Sequence, residues 1–243
     1  MQKSEITRFI SKYYLGGEIK SAKWKSTGNT ISTSVITGDK SVVGSVVWDK
    51  VSGVMDSEFG VYNTPQLLAL LSVMGDDIDF ELSQMGDKFV SVNLKDTKYG
   101  VVSKYMLSDL SVIPSPPPFK NLPDKYDLDL QIDKYFIDTF IAGEGALSES
   151  DTFTIIAQND KVDIVIGYSN IGTNRVTLPI KVNTFNEIPP ISFHSGMFAN
   201  ILQANKECES VSMKISSAGL IKINFEIDNY KSEYYLVATQ QVN

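Results

Sequence analysis

The residues that could carry out nucleophilic chemistry are few. The sequence holds one histidine, His194, and one cysteine, Cys208, fourteen residues apart. A thiolate activated by an imidazole needs the two side chains in contact, and this separation does not bring them together along one helix. We interpret them as a satisfied or exposed histidine and a half-buried thiol. The sequence therefore predicts no catalytic residue and a protein that is not an enzyme.

Carboxylates and glycines offer two further chemical possibilities. The acidic run at 76–81 could ligate a hard cation, but it follows a predicted helix at a turn where solvated carboxylates are common. The run Gly143-Glu144-Gly145 lacks the third glycine and the preceding strand of a nucleotide-binding fingerprint. We predict no metal site and no cofactor. A hydrolase of acidic or sugar substrates would need convergent carboxylates, and the sequence leaves that alternative open.

Composition indicates a folded protein that repels phosphate overall. Of the 243 residues, 42% are hydrophobic and 21% are charged, which is ordinary for globular domains. The net charge of -7 restricts any nucleic-acid surface to a local patch. The single cysteine excludes an intramolecular disulfide and a Cys-based structural zinc site, and no apolar run is long enough to span a membrane. We expect a cytosolic protein with no membrane partner.

Prolines mark the main boundary of the chain. Five of the nine prolines lie in 108–126, where neither a helix nor a central strand can continue. We predict an N-terminal domain over 1–110, a Pro-rich connector over 111–126 and a C-terminal domain over 127–243. A long surface loop within one domain is the alternative interpretation of the connector.

Hydrophobic periodicity predicts two short helices in each half, separated by strands. In the first half the helices cover about 4–14, ended by Gly16-Gly17, and a segment from Asn63-Thr64-Pro65 to near Gly75. In the second half they cover about 130–141, ended by 143–145, and about 195–206. Turn signals at 27–29, 37–40 and 85–87 indicate antiparallel hairpins.

The two halves align as an internal repeat. A shift of 131 residues places Phe80 and Leu82 on Val211 and Met213, and it superposes the apolar faces of the second and fourth helices. A shift near 127 superposes the apolar positions of the first and third helices. The similarity is of pattern rather than identity, which is typical of structural repeats.

Three segments carry a resemblance to a known family: VYNTPQLLALLSVMGDD at 61–77, the connector ending in Pro118-Phe119, and FHSGMFANIL at 193–202. In this order they resemble the sliding clamps of DNA replication, and those of tailed bacteriophages more than the cellular ones. The resemblance covers essentially the whole chain. It implies an α+β protein with the DNA clamp fold, in which two tandem clamp-type domains have antiparallel sheets outside and two short helices inside.

The resemblance also implies a function. A clamp of two domains per chain forms a homotrimeric ring that encircles double-stranded DNA without sequence preference and tethers the replicative DNA polymerase, conferring processivity. A clamp loader opens the ring with ATP, and the polymerase docks a short peptide. The expected compartment is the cytoplasm of the infected host cell. A hydrophobic peptide pocket near the connector is implied, with Phe119 only a candidate neighbour, and we assign no pocket residues.

A sliding ring needs weak contacts with phosphates, because base readout would stop its movement. Arg8 and Lys12 lie four residues apart, opposite the stripe of Phe9 and Tyr13 on the first helix, so we expect them to project into the channel. The complete set of predicted DNA-facing residues is Lys3, Arg8, Lys12, Lys134, Asn200, Gln203 and Lys206. Acidic neighbours of Lys134 leave the contribution of the second domain open.

The main alternative is a structural or assembly protein of a phage virion, built of β-rich domains that make only protein contacts. Composition does not separate the two hypotheses. Four regularly placed short helices, with basic residues on the first, favour the clamp.

Overall fold

The structure is a computed structural model that describes residues 1–117, 122–123, 125–169 and 171–239. Its α-helices are α1 (Lys3–Tyr14), α2 (Thr64–Ser72), α3 (Lys134–Ala146) and α4 (Ser195–Ala204). Its strands are β1 (Ala22–Thr27), β2 (Thr30–Ile36), β3 (Val42–Trp48), β4 (Ser57–Val61), β5 (Ile78–Met85), β6 (Lys88–Asp96), β7 (Val102–Met106), β8 (Leu128–Asp133), β9 (Thr152–Gln158), β10 (Lys161–Ile166), β11 (Val176–Thr184), β12 (Ile188–His194), β13 (Ser210–Ser216), β14 (Leu220–Ile227) and β15 (Tyr230–Val237). Short helices with antiparallel strands confirm the predicted α+β class.

The described residues form two compact units. The first unit comprises Met1–Gly38, Gly44–Pro117 and Asp228–Ser232, and the second unit comprises the described residues of Asp39–Val43, Pro118–Ile227 and Glu233–Asn243. Each unit contains two of the four helices. The predicted domains 1–110 and 127–243 stay a prediction, because compactness does not show that a segment folds alone. Residues 118–121 and 124 of the predicted connector, Phe119 included, lie outside the described residues.

Antiparallel sheets follow the same order in both units. In the first unit the strands lie in the order β4-β1-β2-β3 and, in a separate sheet, β5-β6-β7. In the second unit the order is β12-β9-β10-β11-β8-β13-β14-β15. The predicted turns are confirmed: Gly28 and Gly86 adopt φ values of 61° and 62° between β1 and β2 and between β5 and β6, a conformation that glycine reaches without strain.

Helix α1 forms where the periodicity predicts it. Its apolar residues Ile6, Phe9, Ile10 and Tyr13 are all buried, with exposed fractions of 1% or less. The helix ends when Leu15 adopts a left-handed conformation with φ 46° and its N–H bonds to the Ser11 carbonyl. The glycines after it then continue the turn away from the helix axis.

The predicted start of α3 is wrong. Residues 130–133 belong to β8, in which Leu128, Leu130 and Ile132 are fully buried at a period of two. Leu130 lies opposite Met213 of β13, so strand pairing overrides the helical pattern here. The helix begins after Asp133, whose carboxylate accepts the Phe136 N–H at 2.8 Å as an N-cap.

The predicted end of α3 is also corrected. Gly143 and Gly145 lie inside the helix, which continues to Ala146. A Cβ at Gly143 would lie 3.2 Å from Ile166 and 3.3 Å from Val176. The glycine therefore allows α3 to approach the sheet closely and does not stop the helix.

Each unit has an aromatic core between its helices and its strands. In the first unit Phe9 of α1 meets Trp24 of β1 edge to face, with ring centroids 4.9 Å apart. In the second unit Phe140 of α3 meets Phe198 of α4 in the same geometry, also at 4.9 Å. Edge-to-face pairs of this kind add to the burial of the rings. These aromatic contacts hold in place the helices that carry the candidate site.

Candidate nucleic-acid interface

Helices α1 and α2 are joined by polar contacts at both ends. The Tyr13 hydroxyl lies 3.2 Å from the Thr64 hydroxyl at the start of α2, and burial raises the pKa of the Tyr13 phenol. At the other end the Lys3 ammonium donates to the Met74 carbonyl at 2.7 Å and lies 3.9 Å from the Asp76 carboxylate. Lys3 therefore closes the helix pair and has only part of its charge available to a ligand.

Arg8 has an acidic partner within the first unit. Its guanidinium donates to the Asp228 carboxylate at 2.7 Å and lies 4.8 Å from the centroid of the Tyr230 ring. The Arg8 side chain is 30% exposed. Its surface charge is thus balanced by Asp228, which the sequence did not indicate because the two residues are 220 positions apart.

The expectation that Lys12 projects into solvent is wrong. Lys12 is 0% exposed, and its ammonium lies 5.6 Å from the centroid of the Tyr230 ring. The helix face opposite Phe9 and Tyr13 is covered by the start of β15, where the Tyr230 hydroxyl donates to the Glu5 carbonyl at 3.0 Å. A buried ammonium cannot contact a phosphate, so we remove Lys12 from the proposed DNA-facing set.

The four predicted residues of the second unit lie on α3, on α4 or just after it. Lys134 and Lys206 are exposed, and the Lys134 ammonium donates to the Lys206 carbonyl at 3.4 Å. Gln203 is exposed on the last turn of α4, and Asn200 is half-buried one turn earlier. The structure therefore brings Lys134 and Lys206 together.

The lysine contact at the helix ends is repeated in the two units. Lys3 and Lys134 are each the first residue of a helix. Met74 and Lys206, whose carbonyls accept, each follow the residue that caps the second helix. In each unit the ammonium therefore links the start of the first helix to the turn that follows the second helix.

The exposed helix residues carry little charge. They are Ser4 and Ser11 on α1, Pro65, Gln66, Ala69 and Ser72 on α2, Lys134, Tyr135, Asp138, Ala142, Gly145 and Ala146 on α3, and Gln203 on α4. One lysine is opposed by one aspartate in this set. Tyr135, which is 78% exposed, is the large aromatic residue among them, and the sequence analysis did not select it. Such a surface can contact phosphates through neutral donors and water, with weak dependence on sequence.

Both residues considered for nucleophilic chemistry have structural roles. The His194 imidazole accepts the Met197 N–H at 3.2 Å through Nδ1 and so caps α4. Cys208 is buried, and its thiol donates to the Ser210 carbonyl at 3.3 Å. Neither contact joins the thiol to the imidazole.

The acidic run after α2 also has structural partners. Gln2 donates to the Asp77 carboxylate. Within the described ranges, no group of three or more His, Cys, Asp or Glu side chains is arranged to hold a metal ion. In the same part of the chain, no helix is long and apolar enough to cross a membrane.

Comparison with solved structures identifies the fold. The chain is similar to the crystal structure of Proliferating Cellular Nuclear Antigen from Entamoeba histolytica, with a TM-score of 0.76 and 13% sequence identity. The match covers 98% of this chain and 96% of that one. No family model matches the sequence, and no curated protein matches it. The likeness confirms the predicted clamp-type fold over nearly the full length of both chains.

Proposed function

We propose that this protein is a sliding clamp. It encircles duplex DNA as a closed homotrimeric ring and tethers a replicative DNA polymerase, acting without catalysis of its own. The observation that carries the proposal is the fold likeness to Proliferating Cellular Nuclear Antigen, which spans 98% of the chain rather than one unit. This full-length likeness favours the clamp over the alternative, a virion structural protein.

The proposed trimer rests on the presence of two similar units in each chain. Two clamp-type units per chain reach six in three copies, which is the number that the clamp resemblance implies for a closed ring. Among the described residues, β7 pairs with β6 alone, and its other edge supports association between copies. This strand ends the β5-β6-β7 sheet, and its Val102 is 64% exposed. An exposed edge strand with apolar side chains favours pairing with another chain.

The helix surfaces support retention by enclosure rather than by tight binding. Lys3, Arg8, Lys134 and Lys206 are the basic residues proposed to meet phosphates, with Asn200 and Gln203 as neutral donors. Two of the four cations are engaged within the first unit, Lys3 with Met74 and Arg8 with Asp228. Few free cations mean few released counterions and a shallow salt dependence. A ring that slides needs this weak contact.

The partners and setting are also part of the proposal. A clamp loader opens the ring with ATP, and the polymerase docks a short peptide on it. The resemblance of 61–77 and 193–202 to clamps of tailed phages supports a bacteriophage origin and a place in the cytoplasm of the infected host cell.

Solution mass tests the ring first. Light scattering at micromolar concentration should give about three times the 26.9 kDa of the chain. Retention on DNA tests the mechanism. After loading with a compatible clamp loader and ATP, the protein should remain on nicked circular DNA at high salt and leave when the circle is cut. Loss at the same rate from circular and linear DNA would reject enclosure.

A further inference from the structure

A strand position beside β5 is open in the first unit. Among the described residues, β5 pairs with β6 alone. Its outer edge is bridged at one end, where the Ile78 N–H donates to the Met1 carbonyl and the Met1 amino group donates to the Ile78 carbonyl, both at 2.8 Å. Because outward backbone groups alternate along a strand, the N–H and C=O groups of Phe80 and Leu82 also point to this edge. In the described part of the chain, no second strand pairs with them.

The second unit has the same position filled. A shift of 131 residues places Leu82 on Met213 of β13. There β8 pairs with the outer edge of β13 and sets Leu130 opposite Met213. Met213 is fully buried, whereas Leu82 is half-buried. The fold therefore accommodates a strand at this position, and β8 shows what such a strand does.

Two adjoining cavities mark the open position along β5. The first has a volume of about 190 Å³ and the second of about 260 Å³. Gly53, Phe80 and Glu81 line both, so the two form one trough, which we name the β5 trough. The remaining lining residues are Met1, Ser52, Val54, Met55, Ile78, Asp79 and Leu82. The trough thus lies between β5 and the loop 52–55, as β8 lies between β13 and β11 in the second unit.

The β5 side of the trough carries negative charge. Asp79 and Glu81 are exposed and alternate with the apolar Phe80 and Leu82. Within the described ranges, neither carboxylate has an ion-pair or hydrogen-bond partner. Lys95 lies opposite Asp79 across the β5–β6 pair, so the attraction for a cation is concentrated at Glu81.

The filled position in the second unit shows how charge matches an added strand. Lys214 of β13 lies opposite Asp129 of β8, and the ammonium is 3.7 Å from the carboxylate. The basic edge there is met by an acidic residue. The acidic edge of β5 requires the reverse, a basic residue on the added strand.

The same charges disfavour a second copy of β5 as the occupant. Two β5 edges paired with each other would bring Asp79 and Glu81 of one copy beside those of the other, and like charges across a strand pair are destabilising. Charged side chains on an edge strand protect against this kind of self-association. The charge of the edge therefore selects a chain of opposite charge.

We propose that the β5 trough accepts an extended segment of a partner protein as an added antiparallel strand, in which apolar side chains alternate with lysine or arginine. The apolar side chains lie opposite Phe80 and Leu82 and enter the trough. The cations fall at the alternate positions and meet Glu81 and Asp79. Backbone hydrogen bonds supply the affinity of such strand addition, and the alternation supplies its specificity. The trough lies at the opposite edge of the sheet from β7, and the proposal does not depend on DNA enclosure.

Amide hydrogen exchange on the full chain, followed by NMR, tests the open edge. In the free protein the Phe80 and Leu82 amides should exchange faster than those of Val211 and Met213, whose edge β8 covers. The probe is a blocked synthetic octapeptide in which lysine and valine alternate. At about ten times its dissociation constant it should slow exchange at Phe80 and Leu82 about tenfold and leave Met213 unchanged.

Two further peptides separate strand pairing from charge attraction. One has the same composition with the lysines and valines in separate blocks, so it keeps the charge and loses the alternation. The other is N-methylated at the valines, so it cannot donate backbone hydrogen bonds to β5. Each should bind about fivefold more weakly or worse than the alternating peptide.

Two variants serve as a matched pair. Glu81→Lys should weaken the alternating peptide by about fivefold to tenfold, because it places a like charge beside the added strand. It should also prefer a peptide with glutamates for the lysines. Glu149→Lys makes the same change at an exposed position of the second unit and should leave both affinities unchanged.

Three results would overturn the proposal. Equal exchange at Leu82 and Met213 in the free protein would mean that the edge is already covered. Equal binding of the alternating and N-methylated peptides, or no saturable effect of any peptide, would exclude strand addition. Slower exchange at Leu82 with rising protein concentration, without peptide, would mean that a second copy fills the trough. Normal retention on circular DNA in a chain that binds no peptide would reject this inference and leave the sliding clamp intact.

Discussion

The two units share one order of elements but differ in the strand before the first helix. In the second unit β8 lies between β11 and β13, so the sheet runs without a break beside α3. In the first unit the residues before α1 make a single bridge, Gln2 with Asp77, and β5-β6-β7 stands as a separate sheet. The helices nevertheless pack in equivalent pairs.

The contacts that both units share are those between their two helices. Both helix pairs are closed by a lysine at the start of one helix and a carbonyl after the end of the other, Lys3 with Met74 and Lys134 with Lys206. The helix pair is therefore retained where the sheet beneath it varies. A surface built on the helices would be kept in both units, whereas a feature of the sheet edges can differ between them.

Truncating a buried side chain of β8 should have the largest effect on stability. Leu130 is fully buried, and Leu130→Ala should lower the free energy of unfolding by about 2–5 kcal/mol through lost burial and a cavity. Leu82→Ala in β5, where the leucine is half-buried, should cost clearly less. Urea unfolding followed by far-UV circular dichroism measures both. Equal losses would show that the second unit does not rely on β8 more than the first unit relies on β5.

Placing the serine of the second unit at the equivalent glycine of the first unit should have the next largest effect on stability. The Ser108 N–H bonds to the Gly60 carbonyl as the Thr239 N–H bonds to the Ser192 carbonyl. A Cβ at Gly60 would lie 2.6 Å from both Ile113 and the Ser108 carbonyl oxygen. Gly60→Ser should therefore destabilise the protein by about 1–3 kcal/mol through overpacking.

A substitution at the equivalent position of the second unit serves as the control. Ser192→Ala removes only the hydroxyl, which lies 2.9 Å from the Thr154 hydroxyl, and should cost about 1 kcal/mol. Thermal unfolding monitored by calorimetry compares the pair. A stable Gly60→Ser variant would mean that the chain after β7 moves aside easily and is held less rigidly than its hydrogen bonds imply.

Local patterns predicted most of the fold but not its long-range pairing. The helix of residues 4–14 and the turns at 27–29 and 85–87 depend on neighbouring residues, and each was confirmed. The start of α3 was predicted wrongly because Leu130 and Ile132 fit a helical stripe as well as a strand. These residues form a strand because they pair with β13, which lies about 80 residues later in the sequence. Gly143 was misjudged for the same reason, since its close approach to Ile166 is a tertiary contact.

The candidate site was predicted less well than the fold. Helical spacing correctly placed Lys12 opposite Phe9, but spacing cannot tell whether that face meets solvent or another strand. Lys12 is buried close to the Tyr230 ring. Arg8 is paired with the Asp228 carboxylate. Lys134 and Lys206 could be selected individually, while their contact depends on how α3 and α4 pack. Pattern periodicity carries no information on such pairs.

Removing one positive charge from either helix pair should have a smaller effect, which appears in the salt dependence of DNA binding. Lys206 is exposed, whereas Arg8 is paired with Asp228. If both units meet DNA, Lys206→Gln should reduce the slope of log affinity against log salt by about 1. Arg8→Gln should reduce it by less, because Asp228 already offsets that charge. Salt titrations of binding to a duplex oligonucleotide measure both slopes. A larger change for Arg8→Gln would mean that Arg8 contacts phosphates more than Lys206 does, despite its pairing with Asp228.

The smallest expected difference between the units is in how their stability depends on acid pH. Asp96, which is 1% exposed, accepts the N–H groups of Tyr99 and Lys98 at 2.8 Å and of Gly75 at 2.5 Å. The Tyr99 bond leads the causes that hold the Asp96 carboxyl pKa below its usual value. A shift of 131 residues places Ile227 at this position, so the second unit has no equivalent carboxylate.

The sign of the pH effect follows from that lowered pKa. The ionised Asp96 stabilises the folded protein above the unfolded-state pKa of about 4, and this contribution is lost as pH falls toward the folded-state pKa. Asp96→Asn should therefore be less stable than the parent at neutral pH, and the difference should shrink below about pH 4. Urea unfolding at several pH values measures it, with Asp79→Asn on β5 as a control for the loss of one carboxylate. A difference that stays constant down to acid pH would mean that the turn after β6 is held by the shape of the residue and not by its charge.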